Sequence, residues 1–80
     1  MFVIHQNSFV AQNEVKNYQL VEDKGEFKLI GESIDGKKDH CHAKTNSLAE
    51  LAEQLKNSNP HDLASYNYFA TWIERLLALI

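Results

Sequence analysis

Eighty residues with 44% hydrophobic content and a net charge of −3 fit one folded domain, 1–80, rather than a disordered chain. The mild acidity leaves no basic footprint for sequence-independent nucleic-acid binding, which needs clustered Lys and Arg. The one cysteine, Cys41, excludes an internal disulfide framework and suits a reducing compartment, so a cytoplasmic location is expected.

The opening MFVIHQNSFV has neither the basic start nor the apolar run of about 7–15 residues that marks a signal peptide. Phe2 to His5 is a short apolar run that predicts a strand. Gln6 to Lys16 gives no single answer, because Ser8-Phe9-Val10-Ala11 reads equally as a strand end, a bulge or a loop. Tyr18 to Glu22 alternates and predicts a strand. Lys24-Gly25 marks a turn, and Glu26 to Ser33 forms the next strand. Ile34-Asp35-Gly36 signals a hairpin that leads into a third meander strand, Lys37 to Lys44.

The loop length sets the register. A two-residue Asp35-Gly36 loop would place Phe27 opposite Lys44 and Leu29 opposite His42, mixing apolar and polar side chains on one face. A three-residue loop with Gly36 left-handed pairs Leu29 with Cys41 and Phe27 with Ala43, and sets Glu32 against Lys38 and Glu26 against Lys44. The second register is preferred. It turns Tyr18, Leu20, Phe27, Leu29, Cys41 and Ala43 to the core. Gln19, Val21, Lys28, Ile30, Glu32, His40 and His42 then make an outer face, the expected surface for a partner protein.

Ser47 and Glu50 form a capping box ahead of Leu48, Leu51, Ala52 and Leu55, which line one side of a helix. Asn57-Ser58-Asn59-Pro60 ends that helix and starts another, with Asn59 as N-cap, Pro60 in the first position and Asp62 complementing the dipole. The second helix, Pro60 to Ile80, is apolar over an arc of roughly 220°, about twice what one small sheet requires. Leu63, Tyr66, Phe69, Ile73 and Leu77 are expected to close the core. Tyr68, Trp72, Leu76 and Leu79 form a second stripe, expected to mediate self-association as a homodimer through the C-terminal helix. Cover by the unassigned Gln6–Lys16 segment or contact with a membrane surface are the alternatives. Trp72 to Ile80 is far shorter than about 20 residues and contains Glu74 and Arg75, so no membrane span is expected. The fold class predicted is α+β: an antiparallel three- to four-stranded meander packed on one face by two C-terminal helices.

Chemistry has few candidates. In a regular strand His40 and His42 share a face and Cys41 takes the other, so the three cannot converge on one metal ion; His40 and His42 alone could supply two zinc ligands, with Asp39, His5 or His61 brought by folding, against the preferred reading of a polar outer face. A core-facing Cys41 is not an exposed nucleophile beside its base. Glu22, Asp23, Glu26, Glu32, Asp35 and Asp39 sit at turns or strand edges as solvated charges, and Gly25, Gly31 and Gly36 are spaced as turn and strand glycines, not as a phosphate loop. No catalytic residue, metal or cofactor is expected. Three strands followed by a helix resemble the layout of double-stranded RNA-binding domains, with Lys28, Lys38, Lys44, His40 and His42 on one face. The helix start Ser47-Leu48-Ala49-Glu50 lacks that family's basic residues, so nucleic acid is not the expected partner.

The order of a short first strand, Asn17-Tyr18-Gln19-Leu20-Val21-Glu22 followed by Gly25, an Asp-Gly-Lys turn and a capped Asn-Ser-Leu-Ala-Glu-Leu helix resembles small phage-encoded anti-CRISPR proteins of the type I systems. The resemblance implies a non-enzymatic inhibitor that binds a protein surface of a bacterial surveillance complex and blocks target DNA. It transfers no interface residue. Immunity and antitoxin proteins share the same size and plainness.

Overall fold

The computed structural model describes residues 1–11, 14–31, 40–58 and 63–80. Strands β1 (Phe2–Ala11), β2 (Glu14–Asp23), β3 (Glu26–Gly31) and β4 (His40–Thr45) form one antiparallel sheet in the order β1-β2-β3-β4. Helices α1 (Leu48–Asn57) and α2 (Leu63–Ala78) follow and pack on one face. The architecture is α+β, as the sequence predicts.

The largest departure is β1, which runs ten residues and does not end at His5. It pairs with an equally long β2 from Phe2 opposite Glu22 to Ala11 opposite Glu14, so most of the unassigned Gln6–Lys16 segment is strand. Gln6-Asn7-Ser8 has poor intrinsic strand preference, and cross-strand pairing overrides it. Gln19 Nε2 donates to Gln6 Oε1 at 3.4 Å, and Ser8 Oγ donates to Asn17 Oδ1 at 2.5 Å. The register shifts between Val3 and His5, leaving Ile4 as an extra residue. That bulge puts His5 opposite Leu20, on the helix side, where strict alternation from Val3 would have sent it outward.

The β2–β3 turn is a two-residue loop with left-handed Lys24 (φ 54°) and Gly25 (φ 84°), the geometry that matches strand twist. The Gly25 N–H donates to Glu22 Oε1 at 3.2 Å.

The β3–β4 register corrects the expectation. Leu29 stands opposite Ala43 and Phe27 opposite Thr45, not Cys41 and Ala43. A second shift, at Leu29/Ile30, makes His42 the extra residue. The bulge keeps Ala43 buried while reversing the residues before it, so Cys41 is exposed and His42 is half-buried on the helix side. The expected Ile34-Asp35-Gly36 hairpin and Glu32–Lys38 pair fall outside the described residues. Lys28 and Lys44 face each other directly, an unfavourable placement for like charges, and each leans to a carboxylate. Lys28 Nζ lies 3.5 Å from Asp23 Oδ2, and Lys44 Nζ lies 3.7 Å from Glu26 Oε2, so the expected Glu26–Lys44 pair forms on the diagonal.

The core joins Tyr18, Leu20, Leu29 and Ala43 to Leu51, Ala52 and Leu55 of α1 and to Tyr66, Phe69, Ala70 and Ile73 of α2. Helix α1 starts as predicted: Ser47 caps it, and the Glu50 N–H donates to Ser47 Oγ at 3.1 Å. Lys56 of α1 and Glu74 of α2 form an ion pair at the surface. Leu77, expected in the core, is exposed on the last turn of α2. Asn59, Pro60 and Asp62, the expected start of that helix, lie outside the described residues.

Gly31 sits under the buried Tyr18 ring. An added Cβ would lie 2.6 Å from Tyr18 Cδ1 and 2.9 Å from His42 Nε2. Gly31→Ala is therefore expected to lower unfolding free energy by about 1–3 kcal/mol in urea titrations. An unchanged midpoint would contradict this packing.

Candidate functional site

Tyr68 and Trp72 are one helical turn apart on α2, so their side chains share a flank. The re-aimed His5 of β1 covers that flank. Its imidazole stacks on the Trp72 indole with centroids 4.3 Å apart and planes 5° from parallel. His5 Nε2 and the Tyr68 hydroxyl share a hydrogen bond at 2.6 Å. Phe9, four residues on, meets Tyr68 edge-on at 5.4 Å and Tyr18 edge-on at 5.7 Å. The stripe therefore has cover from β1, and Tyr68, Trp72 and Leu76 are half-buried while Leu79 is exposed.

At the other sheet edge the arrangement repeats. His42 Nδ1 of β4 and the Tyr66 hydroxyl of α2 share a hydrogen bond at 3.1 Å. His40, opposite Gly31, is exposed, with its ring edge-on to His42 at 4.7 Å. The Cys41 thiol donates to the Ala43 carbonyl at 3.4 Å. Among the described residues no three His, Cys, Asp or Glu side chains stand close enough to hold a metal ion.

The expected outer face is thus split. Gln19 and Ile30 remain on it, and with Gln6 and Cys41 they make one row across all four strands. Lys28 is also there, half-buried and paired with Asp23. Val21 is on that side but fully buried, so it offers no contact surface. His40 and His42 leave the face because of the β4 bulge, and Glu32 lies outside the described residues.

Sequence reasoning held cover by the Gln6–Lys16 segment as an alternative, and missed that this segment continues β1 and that His5 faces the helix. His5, Asn7 and Phe9 alternate toward the helices, but only Phe9 is apolar, so the period-2 signal is faint. A groove lined by Phe9, Asn67, Tyr68, Thr71, Trp72 and Arg75 runs between β1 and α2. Because β1 is outermost among the described strands, that groove borders a sheet edge with which no further described strand pairs.

No family model, curated protein or solved structure matches this chain. No helix among the described residues is long and apolar enough to cross a membrane.

A double-mutant cycle on His5→Ala and Trp72→Ala, followed by chemical denaturation, is expected to give a coupling of about 0.5–1.5 kcal/mol. Simple additivity would remove the stack as an energetic link between β1 and α2.

Proposed function

We propose that this chain is a non-enzymatic protein-binding module that inhibits a partner by steric occlusion, in the manner of the small phage-encoded inhibitors of type I surveillance complexes that its layout resembles. The observation that carries this reading is the uncharged Gln6–Gln19–Ile30–Cys41 row on the helix-free face of the sheet. Such a surface recognises by shape and amide hydrogen bonding, with Ile30 as the central apolar contact. His5 and His42 are both engaged with tyrosines of α2.

Nucleic acid is the weaker partner class. Lys28 and Lys44 are each directed to a carboxylate, and phosphate binding would have to compete with those contacts. The exposed thiol of Cys41 favours a reducing, cytoplasmic setting, where it stays unoxidised. Self-association belongs to the same reading, with Tyr68, Trp72, Leu76 and Leu79 of α2 near the contact.

Expression of the chain should restore plaque formation by a targeted phage on a host armed with a type I surveillance complex. Ile30→Asp, which alters the open face but not the core, should abolish the rescue while leaving the circular dichroism spectrum unchanged. Failure of the wild-type chain to rescue would refute the inhibitor reading. Rescue that Ile30→Asp leaves intact would move the contact off this face.

A further inference from the structure

The two edges of the sheet are built differently. Edge β4 has six residues, a bulge near its middle and the exposed Lys44, all features that discourage pairing with another chain. Edge β1 has ten residues, FVIHQNSFVA, without a charge, proline or glycine. Its bulge lies near its start, leaving His5 to Ala11 regular. Phe2 is 66% exposed, Val3 42% and Val10 75%. A long, uncharged, partly apolar free edge is a template for strand addition.

We propose that β1 pairs antiparallel with β1 of a second copy, joining two sheets into one of eight strands about a two-fold axis at Asn7. This deepens the self-association half of the reading above and rests on it. The second copy is the occupant because β1 complements itself. With Ile4 set aside as the bulge residue, only an axis at Asn7 pairs the whole strand without overhang. Phe2 then faces Ala11 of the other copy, Val3 faces Val10, His5 faces Phe9, Gln6 faces Ser8, and Asn7 faces itself. Both faces agree in this register. Val3 and Val10 lie on the outer side, and His5 and Phe9 lie on the helix side. The valine exposed on each copy meets a valine, and no charge is buried.

The size of the edge also suits a dimer. Ten residues at about 3.4 Å each run roughly 34 Å, against a longest molecular extent of 37 Å. An edge of ten residues is nearly twice the usual strand of about 5–6, so it offers a long run of main-chain pairing. The axis also brings the two α2 helices side by side beneath the joined strands. Phe9 of each copy then stands opposite the other's His5, the residue stacked on Trp72.

The test is mass by sedimentation equilibrium over a concentration series, with circular dichroism as the fold control. The wild-type chain should approach twice its 9.2 kDa. Val10→Glu should return it to monomer, and Val3→Lys combined with Val10→Glu should restore the dimer, because those positions oppose each other. Independently, Asn7→Cys in a Cys41→Ser background should oxidise to a covalent dimer, since axial cross-strand Cα atoms about 4.5–5.5 Å apart suit a disulfide. Val15→Cys in the same background should not. A wild-type monomer throughout, or a dimer indifferent to Val10→Glu, would overturn the pairing. A double variant that stays monomeric would overturn the Asn7 axis. None of these outcomes depends on phage rescue, which reports on the outer face.

Discussion

Helix α2 is fastened to both edges of the sheet by a histidine–tyrosine hydrogen bond, and the other features of the fold arrange themselves around that double attachment. Tyr66 and Tyr68 are two positions apart, so a helix turning about 100° per residue sends them to opposite flanks. One flank meets His42 of β4, and the other meets His5 of β1. Each histidine lies at a β-bulge, and each bulge turns an imidazole inward that regular alternation would have pointed at solvent. An 80-residue chain has limited surface to bury, so fixing both outermost strands to one helix adds cohesion that a single small core lacks.

The same attachment shapes the surface. Drawing His5 and His42 inward leaves the helix-free face with amides, Ile30, the Cys41 thiol and lysines already directed at carboxylates. In the proposed reading this is the face that meets a partner protein. The stack on Trp72 also holds β1 flat against α2, so its outer edge is presented as an ordered strand along the aromatic groove. Edge and face are then two separate surfaces, which we propose meet a second copy and a target respectively.

Much of the frame was legible. The N-cap at Ser47, the apolar line Leu48–Leu51–Ala52–Leu55, the Lys24-Gly25 turn and the alternation through Tyr18 and Leu20 each follow from local rules, and the structure bears them out; the return bond from the Glu50 side chain that would complete the capping box is not formed. What escaped came from the bulges. One extra residue at His42 reversed Cys41 and His42, and no sequence pattern marks that position. One extra residue at Ile4 concealed that β1 continues, because the polar Gln6-Asn7-Ser8 looks unlike a strand until β2 supplies its partners. The apolar arc of α2 is met in part by the same sheet face, made wider by the long β1, while Leu77, Leu79 and Ile80 stay exposed. Its first cover is the strand that sequence alone left unassigned, with His5 and Phe9 lying against Tyr68 and Trp72.

The most direct measurement of this account is the proton NMR signature of His5. A ring stacked at 4.3 Å over an indole should carry imidazole protons shifted upfield of those of exposed His40, with cross-relaxation to the Trp72 ring. Histidine shifts equal at both positions, with no cross-relaxation between His5 and Trp72, would contradict the attachment of β1 to α2.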